Sequence, residues 1–248
     1  MTDPRDLARL AQFDTPTVCN VIELFDVRPR HEGFLSGDVE ALFPELPPVV
    51  GHAATATFAS SRPESEGASY SNFVEQVEQF IAGVPEPRIV VFQDVDSRPV
   101  GATFGEVMCS TYQAFGCLGL ITSGGGRDLD QVRRLGFPCW ASSVISSHAY
   151  CRIVDVGVPV TVGGCEIRPG DLLHGDANGV TTIPEDIAGE VARGCQLLVE
   201  AENEVLHYVR SGRPTVEGLR EARRRSGELM GEIAARLRRE KEEGGPRR

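Results

Sequence analysis

Hydrophobic residues recur along the chain in two alternating patterns, one typical of buried strands and the other of amphipathic helices. Short apolar runs at residues 51–58, 88–93 and 118–122 predict strands. Between them, residues 71–81 and 105–116 carry apolar side chains at helical spacing. Strands and helices that alternate in this way favour a partly parallel sheet covered by helices.

The two ends of the chain are predicted to be helical, and the middle changes character. Residues 5–25 predict a helical start, and residues 26–50, which contain four prolines, predict a loop. Residues 150–184 are rich in Val, Ile, Gly and Pro with frequent turns, so they predict several short antiparallel strands. A long helix with an apolar face at 187–209 and a final charged helix follow.

Taken together, these elements predict an α/β fold in a single domain with a helical C-terminal extension. We expect the domain to span residues 1–184 and the helices of the extension to span 185–240, packing on the same subunit or on a neighbouring one. Residues 241–248 are expected to form a disordered tail because of their charged, glycine-containing sequence.

The charge of the chain argues against nucleic acid as the main partner. The net charge is −11, and phosphate binding needs a basic face. Arginines gather near the C-terminus, but glutamates are interleaved with them, as on a solvated helix with compensating ion pairs. The N-terminus lacks the apolar core of a signal peptide and no long apolar run occurs, so we expect a cytoplasmic protein without a membrane partner.

The cysteine and lysine contents exclude several chemistries. Seven cysteines without a Cys-x-x-Cys pair predict buried, reduced thiols rather than disulfides or a zinc site. The chain has one lysine, Lys241, which lies in the charged tail. Schiff-base aldolases, pyridoxal-phosphate enzymes and P-loop nucleotide enzymes need a lysine inside the fold, so all three are disfavoured.

The stretch GLITSGGGRDLDQV, residues 119–132, carries the most informative candidate chemistry. A predicted strand delivers Arg127 and Asp128 to the start of a predicted helix. Asp128 could simply be the N-cap of that helix. The adjacent arginine and glycines, including Gly124 and Gly125, instead favour a site where main chain approaches a carboxylate ligand that is bound to a hard cation. Glu106, in the stretch FGEVM, is a second acid at a helix start.

Other polar residues are weaker candidates. His148 and His174 are candidate bases, although lone histidines near strand ends are more often structural. Asp176 and Asn178 lie in a GDANG sequence that is typical of a turn. The glutamates at 200, 202 and 204 are, by default, the solvated face of a helix.

The motif GCLGLITSGGGRDLDQVRRLGFPCWA, preceded by GEVM and followed by GVPVTVGGCEIRPGDLLHGDANGVTTIP, closely resembles the RraA-like superfamily. This superfamily contains 4-hydroxy-4-methyl-2-oxoglutarate and 4-carboxy-4-hydroxy-2-oxoadipate aldolases and the regulator of ribonuclease activity A. The resemblance covers about residues 15–184. It implies a β/β/α swivelling-domain-like fold, an αββα sandwich, in homotrimers or homohexamers with sites at subunit boundaries.

The same resemblance implies roles for individual residues. Asp128 would bind Mg²⁺ or Mn²⁺, and Arg127 would hold the substrate. Glu106 would lie near the metal-bound waters, and the main chain from Gly105 through Glu106 and Val107 to Met108 would take the pyruvate-side carboxylate. Glu202 would reach a neighbouring subunit's site, with Glu200 and Glu204 as alternatives. The chain departs from the family at Ser123, where an aspartate is common, and at Asn20.

Three functions are compatible with the resemblance. The first is a divalent-metal-dependent, class II aldolase that cleaves a small anionic 4-hydroxy-2-oxo acid and releases pyruvate, with oxaloacetate decarboxylation as a further activity. The second is a non-catalytic protein that binds and regulates a ribonuclease. The third is an enzyme of the same scaffold recruited to another carbon–carbon lyase reaction. The retained acid and Arg-Asp set favours the first.

Overall fold

The computed structural model describes residues 2–63 and 72–244, and its internal contacts divide the chain into two compact units. The sheet unit comprises residues 31–184, and the helical unit combines the residues up to 30 with those from 185 onward. The predicted division into residues 1–184 and 185–240 stays a prediction. In the structure, the helices of the first 30 residues pack against the long helix that follows residue 187.

The sheet unit contains all the strands found in the described residues. In chain order these are β1 (Glu40–Ala41), β2 (Val49–Ala59), β3 (Arg88–Asp94), β4 (Ala102–Phe104), β5 (Cys117–Gly126), β6 (Cys139–Val144), β7 (Arg152–Val156), β8 (Val160–Val162), β9 (Cys165–Ile167), β10 (Leu172–Asp176) and β11 (Gly179–Ile183). Its helices are α3 (Phe73–Gly83), α4 (Glu106–Ala114) and α5 (Leu129–Leu135).

The larger sheet is mixed, with parallel strands in its centre and antiparallel strands on both sides of them. The strand order is β1-β6-β5-β3-β2-β10-β11, with β4 paired to β5 and β7 paired to β2. Strands β2, β3, β5 and β6 pair in parallel, whereas β7, β10 and β11 pair antiparallel to their neighbours. The predicted α/β class and the change of character after residue 150 are therefore confirmed.

Alternate residues of the central strands feed two separate hydrophobic clusters, one on each face of the sheet. Ala54 and Val90 belong to the cluster that also contains residues of α3 and α4, such as Phe80 and Tyr112. Their neighbours along the strands contribute to the second cluster, which the β8–β9 hairpin covers. This alternation is the expected consequence of the two-residue period of a strand.

A buried arginine joins the ends of two of these helices. Arg88, at the start of β3, donates from Nε to the Val84 carbonyl at 2.7 Å and from its terminal nitrogens to the carbonyls of Phe115 at 3.1 Å and Ile81 at 3.3 Å. Val84 and Phe115 are the C-caps of α3 and α4. The guanidinium therefore satisfies carbonyls that a helix leaves without partners at its C-terminus.

The helical unit consists of α1 (Pro4–Leu10), α2 (Thr15–Glu23), a 3₁₀ turn (Glu185–Ile187), α6 (Ala188–Arg210) and α7 (Val216–Gly244). Asp14 is the N-cap of α2 and accepts a hydrogen bond from the Thr17 amide at 2.9 Å. Helix α7 extends to Gly244, so the predicted tail is wrong for residues 241–244 because they are helical. Residues 245–248 lie outside the described residues.

Other expectations concern charge, thiols and membranes. Helix α7 carries the predicted ion pairs, among them Arg224 with Glu221 and Glu228, and Arg236 with Glu240. None of the seven cysteines forms a disulfide, and burial raises the pKa of the Cys117 and Cys195 thiols to about 12. Across residues 2–63 and 72–244, no helix combines the length and apolar character needed to cross a membrane.

Candidate active site

A cavity of about 320 Å³ opens where several strands of the sheet unit end. Its described lining comes from segments that follow the carboxyl ends of β2, β4, β5 and β6, which is where small-molecule sites form in sheets with parallel strands. The volume lies near the lower end of the range for such sites. The lining residues are Phe73, Gly105, Val107, Met108, Arg127, Asp128 and His148.

Asp128 adopts an unusual backbone conformation immediately before α5. Its φ and ψ angles are 56° and 39°, in the left-handed region that non-glycine residues rarely occupy. The side chain makes no capping bond to its own helix, which excludes the simple N-cap interpretation. Instead, its Oδ2 accepts a hydrogen bond at 3.0 Å from the Glu106 amide at the start of α4.

Gly105 makes this arrangement possible because it leaves space for the carboxylate. A Cβ atom at residue 105 would lie 2.5 Å from Asp128 Oδ2 and 3.1 Å from Arg127 Nε. The backbone of Gly105 is extended, so the requirement is for space rather than for a special φ. Any larger residue here would push Asp128 away from α4.

The first amides of α4 divide into two groups. The Glu106 amide, which the resemblance assigned to substrate binding, donates to Asp128 Oδ2, and its role in substrate binding stays a prediction. The amides of Val107 and Met108 are in the first turn, where helix geometry provides no internal acceptor. Both residues line the cavity, so this helix start can offer N–H groups and the positive end of the helix dipole to an anionic group.

Arg127 supplies a positive charge to the same cavity. Its amide donates to the Phe104 carbonyl at 3.1 Å, which fixes the chain as it leaves β5. Its Nε lies 3.9 Å from Asp128 Oδ2, and the side chain is about one-third exposed. A guanidinium held in this way can donate two parallel hydrogen bonds to a carboxylate.

The two predicted glutamates lie elsewhere. Glu106 is the first residue of α4 but is exposed and does not belong to the described cavity lining. Glu202 lies on α6 in the helical unit, where it lines a groove of about 330 Å³ together with Arg223 and Met230. Its role at a neighbouring subunit's site stays a prediction, as do the alternatives Glu200 and Glu204.

The three consecutive glycines lie inside β5, not in a loop around a ligand. The absent Cβ positions of Gly124, Gly125 and Gly126 would lie 2.3 Å from Thr103 Oγ1, 2.8 Å from the Ile145 side chain and 2.4 Å from the Phe104 ring, respectively. All three glycines are buried, and the described cavity lining contains none of them. Protein atoms occupy the space beside Gly124 and Gly125, and their binding of substrate stays a prediction.

A buried acid, Asp94, lies beside this glycine strand and was missed by the sequence analysis. Asp94 is the last residue of β3, and its amide donates a hydrogen bond to Ser123 Oγ at 2.9 Å. Its Oδ1 accepts from the Asp96 amide at 3.0 Å, whereas its buried Oδ2 has no hydrogen-bond partner among the described residues. An acid directly after a buried apolar run was the available signal.

The environment of Asp94 predicts a pH-dependent stability. Burial raises the pKa of its carboxyl to about 6 from an ordinary 3.8, so the folded state prefers the protonated form. The loss of folding free energy from ionising Asp94 is negligible below pH 4. It grows as the pH rises and reaches its full value above pH 6. We expect Asp94→Asn to leave stability unchanged at pH 4 and to raise the free energy of unfolding by about 3 kcal/mol at pH 8. Urea denaturation at both pH values measures this.

The exposed Asp130 provides the matched control for that measurement. Its side chain is 78% exposed, so Asp130→Asn should change stability by less than about 0.5 kcal/mol at either pH. Equal effects of Asp94→Asn at pH 4 and pH 8 would show that the charge of Asp94 is not disfavoured in the folded protein.

The remaining candidate residues lie in different parts of the sheet unit. His148 lines the cavity, whereas His174 is fully buried in β10 and is not part of the described lining. Asp176 accepts hydrogen bonds from the amide and side chain of Asn178 at 2.7 and 3.1 Å, which confirms the predicted turn between β10 and β11. Phe73, the first residue of α3, also contributes to the cavity wall and packs edge-on against Tyr112.

The fold and the cavity together define an α/β protein with a small cavity at the ends of its parallel strands. The chain belongs to the RraA-like family: the family model, described as Aldolase/RraA, matches residues 5–182. A protein of Halalkalibacterium halodurans, provisionally named a 4-hydroxy-4-methyl-2-oxoglutarate aldolase, is 33% identical over 100 residues, which cover 40% of this chain and 48% of that relative. The chain thus spans about half the length of this curated relative.

Solved structures support the same fold. An uncharacterised protein from Pseudomonas syringae pv. tomato has a TM-score of 0.69 at 22% identity, covering 90% of this chain and 94% of that one. Streptomyces coelicolor RraAS2, described as an unusual member of the RNase ES inhibitor RraA protein family, has a TM-score of 0.63 at 24% identity, covering 86% of this chain and 98% of its own. At these identities the similarity establishes the fold.

Proposed function

We propose that the protein is a divalent-metal-dependent lyase that cleaves a 4-hydroxy-2-oxo acid and releases pyruvate. The observation that carries this proposal is the meeting of Arg127, Asp128 and the first turn of α4 in one small cavity. The name of the Halalkalibacterium relative supports the reaction class. Lys241, the single lysine, lies in α7, so the sheet unit has no amine with which to form a Schiff base.

The donor set fits a hard divalent cation such as Mg²⁺ or Mn²⁺. The Asp128 side chain is 38% exposed, and only its Oδ2 is used by the α4 cap, so its other oxygen can act as a ligand. Within the described residues, no group of three His, Cys, Asp or Glu side chains could hold a metal. Magnesium sites commonly use one or two carboxylates and complete the shell with water and substrate, which matches this arrangement.

The bound ion would supply Lewis-acid stabilisation of the negative charge that develops on the 2-oxo group during cleavage. The protein's own groups position the substrate for this step. The Val107 and Met108 amides and the α4 dipole would bind the carboxylate next to the 2-oxo group. Arg127 would hold the same end of the substrate and offset its growing negative charge.

The hypothesis is tested by a pyruvate-release screen over 4-hydroxy-2-oxo acids and oxaloacetate, coupled to lactate dehydrogenase. We expect turnover of at least one substrate with Mg²⁺ or Mn²⁺, and its loss when EDTA removes the metal. Lactate dehydrogenase with added pyruvate under each condition controls for effects on the coupling enzyme. A folded protein that releases no pyruvate from any of these substrates with either metal would refute the proposal.

A further inference from the structure

His148 is the polar residue of the cavity to which the proposed function gives no task. Three of the seven described lining residues have polar side chains: Arg127, Asp128 and His148. Arg127 and Asp128 are assigned to the oxo-acid end of the substrate. His148 comes from a different segment, the loop between β6 and β7.

Main-chain hydrogen bonds hold this loop in place on both sides of His148. The Ser147 carbonyl accepts from the Ala102 amide at 2.8 Å, and the Tyr150 amide donates to the Ser60 carbonyl at 3.1 Å. The His148 carbonyl accepts from the Cys151 amide at 3.1 Å. The loop is therefore anchored to β4 and to the end of β2, which makes it a fixed wall of the cavity.

The backbone next to His148 is in a conformation that costs energy. Ala149 has a φ of 47°, in the left-handed region, although it has a Cβ atom. Gly101 approaches the loop so closely that a Cβ at that position would lie 2.6 Å from the His148 carbonyl oxygen. Strain of this kind persists where the surrounding structure enforces it, and it is concentrated at functional sites.

The same backbone sets the protonation pattern of the imidazole. Nδ1 of His148 lies 2.7 Å from the Ala149 carbonyl oxygen. A carbonyl oxygen can only accept, so Nδ1 must carry the hydrogen of this bond. In the neutral ring, Nε2 is then the basic nitrogen, which is the arrangement found in many catalytic histidines.

We infer that His148 is the general base that removes the proton from the C4 hydroxyl of the substrate. This inference rests on the proposed function, because a C4 hydroxyl must be deprotonated when a 4-hydroxy-2-oxo acid is cleaved. Among the described residues that line the cavity, Asp128 is the other candidate base, and its oxygens serve the α4 cap and the cation. Glu106 is outside that lining.

The proposed step is balanced within the substrate and the imidazole. The hydroxyl proton moves to His148 Nε2, and the C4–O bond becomes a carbonyl as the C3–C4 bond breaks. The electron pair of that bond moves to the pyruvate fragment as an enolate. A proton then returns to C3, which yields pyruvate and neutral His148.

Oxaloacetate provides the discriminating comparison because its decarboxylation forms the same pyruvate enolate without removing a hydroxyl proton. A general base contributes about 10²–10⁴-fold to a rate. For His148→Gln and His148→Phe, we expect the ratio of kcat for 4-hydroxy-4-methyl-2-oxoglutarate cleavage to kcat for oxaloacetate decarboxylation to fall at least about 100-fold. Both reactions are measured as pyruvate release with Mn²⁺ at the same pH.

The matched control is His31→Gln, since the His31 side chain is 84% exposed on the surface. This variant should keep the wild-type ratio. Oxaloacetate decarboxylation by the His148 variants above the rate with Mn²⁺ alone shows that their site is assembled, so misfolding cannot imitate the expected result. An unchanged ratio in both His148 variants, or loss of both activities to the same extent, would overturn the role of His148 while the lyase proposal stands. A wild-type protein inactive on every 4-hydroxy-2-oxo acid of the screen and on oxaloacetate would refute the lyase proposal itself.

Discussion

Asp128→Asn is expected to lower kcat/KM for metal-dependent pyruvate release by about a thousandfold or more. The substitution removes the charge of the one acidic side chain in the described lining of the cavity. A neutral amide is a poor ligand for a hard cation, and charge stabilisation by such a site is worth several kcal/mol. Steady-state kinetics over a range of Mn²⁺ concentrations measures the loss and should show that higher metal concentration restores part of it.

The substitution is well suited to separate chemistry from folding. Asparagine retains an oxygen that can accept the hydrogen bond from the Glu106 amide, so α4 keeps its cap. Calorimetric titration with Mn²⁺ gives a readout independent of turnover, and binding should weaken for Asp128→Asn but not for Asp130→Asn. Wild-type metal affinity and activity in Asp128→Asn would remove Asp128 from the site and, with it, the proposed metal centre.

Arg88→Ala is expected to destabilise the protein by about 3–5 kcal/mol, the cost of removing a buried charged group that other buried groups depend on. The Arg88 side chain is 6% exposed, and the three carbonyls it serves lie where α3 and α4 end. Without the guanidinium these carbonyls lose their donor. The midpoint of urea denaturation measures the effect, with the slope checked for two-state behaviour.

The contribution of the ion pair can be distinguished from that of the carbonyl bonds. Arg88 also pairs with Glu86 at 3.0 Å, but the Glu86 side chain is 66% exposed. Glu86→Gln should therefore cost less than about 1 kcal/mol. Arg88→Lys should be intermediate, because an ammonium cannot reach carbonyls in several directions as a planar guanidinium does. If Glu86→Gln were as damaging as Arg88→Ala, the stabilising role of the carbonyl bonds would be disproved.

Much of the secondary structure was predictable because the long strands and helices have strong periodic patterns. The strand at 51–58 and the helix at 71–81 appear as β2 and α3 with small shifts at their ends. The short strands β1 and β4 carry two and three residues, too few for a period to be visible. The glycines after Thr122 suggested a turn, whereas β5 continues to Gly126 because the neighbouring strands fill the space where side chains would be.

The candidate site, like the fold, was predictable only in part. Arg127, Asp128 and the start of α4 were predictable because each lies in a short local motif. The bond from the Glu106 amide to Asp128 was not, because it joins residues 22 positions apart through a tertiary contact. Phe73 and His148 reach the cavity, and Asp94 reaches the glycines of β5, through chain segments that have no motif, so their placement depends on strand pairing that residue patterns do not encode.

Neighbouring side chains crowd the glycines of β5 and Gly105. This crowding limits which positions of the scaffold can change to accept other substrates. A substitution at any of these positions would displace a neighbouring residue before it reached a ligand. New substrates would have to be accommodated by the apolar residues of the wall, chiefly Phe73 at the start of α3 and Val107, whose residue surface is 76% exposed. Directed evolution toward other oxo acids is therefore best begun with libraries at those two positions, leaving the glycines untouched.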